Sequence, residues 1–231
     1  VSNADRRRFR VAHSTRSLAL LLVIVILLQF GYPITLCGEW WTALYMLLYV
    51  GMVFYGTAVT REASERGNLI VPLGVIFLGL AVWFTIDQKS RAATLSMLIA
   101  VSVFMLALLI TLGRFVFRRR NAVSLDLILS AVSTYLIIGG FFGALSGVLE
   151  ILHPGSYADP ATPGVSPQWQ QMVYFSFVTL ATLGYGDIVP VAPWARSLAS
   201  FETVLGTLFL AIVISRLVGI WSSTHAARDD D

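Results

Sequence analysis

Charge in this chain is confined to the gaps between long apolar runs, and that confinement decides what the chain can fold into. Six runs of about 20 residues stand out, at 17–36, 40–60, 69–86, 92–113, 123–149 and 195–221. Each is bounded by charge, Gly or Pro. About 20 apolar residues in helical form cover the hydrocarbon core of a bilayer. The composition agrees: 57% of the 231 residues are hydrophobic, 13% are charged, and the mean hydropathy is +0.77. A soluble domain carries about 25% charged residues, and a disordered chain needs low hydrophobicity with high net charge. Lipid is therefore the expected solvent for most of this protein.

The net charge of +3 does not imply a nucleic-acid partner, because the arginines cluster at the ends of the apolar runs. With the N-terminus inside, the inner segments hold Arg6, Arg7, Arg8, Arg10, Arg16, Arg61, Arg66, Arg114, Arg118, Arg119, Arg120, Arg216 and Arg228. The outer side holds Lys89, Arg91 and Arg196. The positive-inside rule then places both termini in the cytoplasm. The basic start and the first run resemble a secretory signal, but no small-x-small cleavage site follows, so the first helix is expected to remain. Cys37 has no second cysteine to pair with and is expected to be a small apolar residue near a helix end.

One apolar stretch fails to cross. Residues 168–181 make about 14 positions, a length that suits a re-entrant or interfacial segment. Ser166 and Pro167 before it form an expected N-cap and first helical position. The loop at 153–166, rich in Pro and Gly, is expected to be an external turret with no helical or strand pattern. After the short helix comes Thr182-Leu183-Gly184-Tyr185-Gly186-Asp187, which cannot continue a helix.

An ion crossing a membrane must exchange its hydration shell for an equivalent set of oxygens. Backbone carbonyls supply one if successive C=O groups point at a common axis, whereas an ordinary strand alternates them. Gly184 and Gly186 alternate with Leu183 and Tyr185, so every second residue is free to reach positive φ. The Thr182 hydroxyl can add an oxygen at the inner end. At ~3.3 Å per residue Thr182–Tyr185 would span about 13 Å, room for ions in single file.

This segment resembles the selectivity filter of tetrameric potassium channels, for which the T-V-G-Y-G loop is the standard example. The surrounding order of outer helix, turret, pore helix, filter and inner helix covers about residues 123–223, and the six-helix layout extends the likeness over nearly the whole chain. The resemblance implies an all-α integral membrane protein. It would have six transmembrane helices, a re-entrant pore helix and a filter loop, assembled as a C4 homotetramer. Thr182, Leu183, Gly184, Tyr185 and Gly186 would form the filter, with K+ held at the carbonyls of the first four. Asp187 would rim the outer mouth.

The match departs from the family pattern in places. Leu183 replaces a commoner Val, and Ala181 stands where a second Thr is frequent. Tyr174 and Phe175 replace an aromatic pair that often carries a Trp whose indole N–H donates to the Asp at the mouth. Phe175 has no such donor, so Tyr174 or water is left to brace Asp187. Val178 lacks the acid that some bacterial relatives place behind the filter.

On the last run, Gly206 lies 20 residues after Gly186 and is either a hinge or a close-packing point. Thr207, Leu210, Ile214 and Val218 recur on one helical stripe, which either lines the pore and its gate or packs against another helix. Glu202 is ionisable within a span. It is either a carboxyl whose protonation couples to external pH or a hydrogen-bond partner for the back of the pore helix.

Residues 92–113 contain no charge, so the four-helix part resembles a voltage sensor without gating arginines. Five parts are expected: a cytoplasmic segment at 1–16, the sensor-like bundle at 17–113, a linker at 114–122, the pore domain at 123–223 and a cytoplasmic tail at 224–231. The expected function is passive, potassium-selective conduction without steep voltage dependence, in a bacterial inner membrane. No enzymatic reaction and no cofactor are expected beyond K+ as the permeant ion. A weakly selective cation channel and a potassium transporter subunit are the alternatives. The gating stimulus and any cytoplasmic regulator are not readable.

Overall fold

The computed structural model describes the backbone of residues 3–63, 70–117 and 124–229, and the side chains of 15–61, 70–117 and 124–222. Seven helices occur among the described residues: α1 (Asn3–Phe30), α2 (Glu39–Ala63), α3 (Ile70–Ile86), α4 (Arg91–Phe117), α5 (Leu125–Leu152), α6 (Trp169–Leu180) and α7 (Pro193–Asp229). A 3-10 helix, η1 (Tyr32–Cys37), joins α1 to α2. Four stretches are long and apolar enough to cross a membrane: Glu39–Arg61, Arg91–Phe117, Leu125–Leu152 and Pro193–Ser222. Thr15–Phe30 and Ile70–Ile86 are shorter apolar helices.

Three local expectations need correction. The first apolar run does not stay α-helical to residue 36, because α1 stops at Phe30 and Gly31 and Pro33 open the tighter η1. Thr35 and Thr42 then tie η1 to α2, the Thr42 hydroxyl donating to the Thr35 carbonyl at 3.2 Å. The short helix is capped by Gln168 rather than Ser166. Gln168 and Gln171 form a reciprocal capping box, the Gln168 N–H donating to Gln171 Oε1 at 2.8 Å. The turret is not free of strand: β1 (Tyr157–Ala158) pairs antiparallel with β2 (Val189–Pro190). A two-residue ladder is too short to leave an alternating pattern in sequence. Of the inner-side arginines, Arg66, Arg118, Arg119 and Arg120 lie outside the described residues, as do the side chains of Arg6, Arg7, Arg8, Arg10 and Arg228.

Helices α1–α4 form a bundle around one apolar core that also takes in Ile137 and Ala144 of α5. Its centre is aromatic. Tyr49 meets Phe77 edge-on at 5.4 Å, and Phe77 stacks on Phe104 at 6.1 Å. Among the described residues of α1–α4, no charged side chain is buried. Polar links fasten the bundle to α5 at both ends. The Thr15 hydroxyl donates to Asp126 at 2.5 Å at one end, and the Arg91 guanidinium donates to the Ile151 carbonyl at the other. Helix α5 begins with Ser124 as N-cap, its hydroxyl accepting from the Leu127 N–H.

The other face of α5 carries Gly139, Gly143 and Gly147, four residues apart and therefore on one stripe. It receives α6. A Cβ at Gly143 would lie 2.9 Å from the Val173 Cα, and one at Gly139 would lie 2.7 Å from the Phe177 ring. Small residues at four-residue spacing let helix backbones approach closely. Helix α7 packs against α5 and α6. Only 17% of its most apolar window is buried within the subunit.

Candidate functional site

The site is built at the C-terminal end of α6. Ala181 caps the helix, its N–H still donating to the Phe177 carbonyl at 3.0 Å. The Thr182 N–H then donates to the Thr179 carbonyl at 3.0 Å, and the Leu183 N–H to the Val178 carbonyl at 2.9 Å. This pair of bonds is a Schellman motif, whose left-handed position is usually glycine. Here Thr182 holds it at φ +58°. A β-branched residue at positive φ is a steric outlier. Such strain costs of order 1–3 kcal/mol, persists only where the surroundings enforce it, and clusters at functional sites.

The left-handed conformation recurs at every second residue: Thr182 at +58°, Gly184 at +58° and Gly186 at +79°. Neither Leu183 nor Tyr185 has positive φ. A strand of uniform hand throws carbonyls to alternate sides, whereas alternating hand turns successive carbonyls toward one side. Residues 181–187 are exposed in the subunit, Tyr185 at 68%. The α6 C-terminus beneath them carries the partly negative end of the helix dipole.

Asp187 closes this exposed loop. Its carboxylate accepts from the Tyr174 hydroxyl at 2.5 Å and from the Ile188 N–H at 3.0 Å. That bond to Asp187 pushes the Tyr174 phenol up to about 12. Phe175 faces inward, where it meets Tyr157 edge-on at 5.1 Å. Tyr157 is anchored in turn. Its hydroxyl donates to Ser146 Oγ at 3.0 Å, and its N–H and that of Gly155 donate to the Glu150 carboxylate at 2.9 Å each. The turret is thus tied to both α5 and α6. Val178 is buried, and its carbonyl anchors the turn into the loop.

On α7, Gly206 packs directly against Leu180 at the end of α6. Glu202, one turn earlier, is fully enclosed and hydrogen-bonded to Ser176 of α6. The stripe of Thr207, Leu210, Ile214 and Val218 is exposed, Ile214 at 59% and Val218 at 58%. The structure therefore brings Tyr174, Val178 and Asp187 together with the loop, and sets the stripe apart on an open face. Sequence reasoning missed Glu150, Tyr157, Ser176 and Gly139. An acid at the end of an apolar run and the four-residue glycine spacing were the available signals.

A short apolar helix, α6, thus ends in an exposed loop between two longer apolar helices, α5 and α7. Residues 129–222 match a family model described as "Ion channel". The chain is 33% identical over 85 residues to the inward rectifier potassium channel Kirbac3.1 of Paramagnetospirillum magnetotacticum, covering 35% of this chain and 25% of that protein. It is 44% identical over 46 residues to two-pore potassium channel 5 of Arabidopsis thaliana, covering 20% of this chain and 11% of that protein. It is 34% identical over 85 residues to two pore potassium channel c of Oryza sativa subsp. japonica, covering 36% of this chain and 16% of that protein. The chain thus spans a quarter or less of the length of these relatives. No solved structure matches it. The chain is an integral membrane protein with an ion-channel domain similar to those of potassium channels.

Proposed function

We propose that this chain is one subunit of a potassium-selective channel. Four copies surround one axis, and the backbone carbonyls of Thr182, Leu183, Gly184 and Tyr185 replace the hydration shell of K+. Asp187 rims the outer mouth. Thr207, Leu210, Ile214 and Val218 line the cavity and gate below. Conduction is passive, in a bacterial inner membrane with both termini inside, and no catalytic step is involved.

The observation that carries this reading is the alternating backbone hand at Thr182, Gly184 and Gly186. The exposed loop and the sparsely buried α7 further support assembly, because one loop per chain supplies only a quarter of a closed ring. Reconstitution of the full chain in liposomes tests the proposal. K+ flux with a reversal potential following the K+ gradient is expected. Equal permeability to Na+ would make it a weakly selective cation channel.

A further inference from the structure

Behind the loop, three helices meet at a single hydroxyl. Ser176 Oγ of α6 lies 2.6 Å from the Gly139 carbonyl of α5 and within hydrogen-bond distance of Glu202 Oε1 of α7. All three groups are buried, Ser176 and Glu202 completely. A serine hydroxyl has one proton and cannot donate to both oxygens. If it donates to the Gly139 carbonyl, an ionised Glu202 would press an anionic oxygen against the Ser176 lone pairs. The other carboxyl oxygen, Oε2, is buried with no hydrogen-bond partner among the described residues. An ionised carboxyl there would leave half of its charge uncompensated, which burial penalises heavily. Among the described residues no basic side chain hydrogen-bonds the Glu202 carboxyl.

We propose that Glu202 is a neutral carboxylic acid that donates to Ser176 Oγ, which donates to the Gly139 carbonyl. This relay makes Glu202 a positioning residue for the filter. It ties α7, α6 and α5 together one turn before α6 ends, and so sets where the strained turn at Thr182 stands. The second half of the proposal rests on the conduction reading above; the first half does not.

Two arms test it on the full chain in lipid vesicles. In the infrared spectrum at neutral pH, the carbonyl stretch of a protonated carboxylic acid is expected in the wild type and absent from Glu202→Gln. Identical spectra in that region overturn the neutral acid. In K+ flux, Glu202→Gln keeps a neutral N–H donor and is expected to retain flux and K+/Na+ preference. Glu202→Leu and Ser176→Ala are each expected to lose about tenfold in flux, and the double variant no more than either single one. Wild-type flux and selectivity in Glu202→Leu, or additive losses in the double variant, overturn the positioning role. A wild type that passes no K+ overturns the conduction reading and leaves the infrared result standing.

Discussion

Gly206 and Leu180 are in direct contact across the α7–α6 junction. A Cβ on Gly206 would lie 2.6 Å from Leu180 Cδ1 and 3.0 Å from the Leu180 carbonyl oxygen. The Leu180 side chain can rotate away, but its carbonyl belongs to the last turn of the helix that ends in the loop. Between the two sequence readings of Gly206, this contact supports close packing. Gly206→Ala is expected to destabilise the protein by about 1–3 kcal/mol through overpacking. The measurement is the thermal midpoint of the purified protein in detergent. An unchanged midpoint would show that the junction relaxes at no cost.

The loop glycines are constrained by backbone hand rather than by space. Nothing lies within 4 Å of a Cβ built on Gly184, yet its φ is +58°. An L-residue in that conformation costs roughly 1–2 kcal/mol, and Thr182 already carries one such strain. Gly184→Asp is expected to abolish K+ preference over Na+, as read from bi-ionic reversal potentials. If K+ preference survived, Gly184 would not belong to the filter.

Tyr174 and Asp187 make the bond that the sequence could only leave open. Tyr174→Phe removes the donor while keeping the ring, so K+ currents under sustained activation are expected to decay faster than in the wild type. Equal decay would argue that the Ile188 N–H alone holds the carboxylate. Bonding to Asp187 raises the Tyr174 phenol to about 12, which favours its protonated, donating form. The bond's contribution is therefore complete below about pH 10, the usual phenol value, and is lost only as pH rises through about 12. Mouth behaviour that depends on Tyr174 should not vary between pH 6 and pH 9.

How much of this was readable in advance follows the range of each interaction. Four of the six apolar runs, at 40–60, 92–113, 123–149 and 195–221, were legible as membrane-length helices. The glycine-bearing loop was legible too, because each is set by residues close together in sequence. The runs at 17–36 and 69–86 instead form shorter apolar helices. Bilayer thickness fixes the length of a span, and backbone sterics fix where glycine is needed. The positive φ at Thr182 was not legible, because a β-branched residue reaches it only when Thr179 and Val178 accept its turn's hydrogen bonds. The relay through Gly139, Ser176 and Glu202 joins three helices across as many as 63 positions of sequence, and no local pattern encodes that. The ladder between β1 and β2 was hidden because two residues per strand are too few to leave an alternating pattern.

Glu150 is the keystone of the turret, accepting from both Gly155 and Tyr157 at 2.9 Å. Glu150→Gln replaces one acceptor oxygen by an NH2 that opposes a backbone donor. A buried backbone N–H left unpaired costs about 1–3 kcal/mol. The expected result is a lower thermal midpoint together with faster hydrogen exchange at Gly155 and Tyr157. Unchanged exchange at both amides would show that the turret is held by the β1–β2 pairing alone.

The bundle of α1–α4 is expected to respond weakly to membrane potential. Moving one elementary charge across 100 mV is worth about 2.3 kcal/mol, so steep gating needs several charges within the field. Helix α4 buries Met97, Val101, Phe104, Met105, Leu108 and Leu112 along its inward face, and its basic residues stand at its two ends, Arg91 and Arg114. Arg91 is already engaged with the Ile151 carbonyl of α5, which resists sliding of α4 past α5. The conductance–voltage relation of the reconstituted protein is expected to be shallow, with an effective charge of about one per subunit or less. A steep sigmoid carrying several charges per subunit would show that the field acts on residues outside α4, and the sensor-like bundle would then have a working part that its helices do not display.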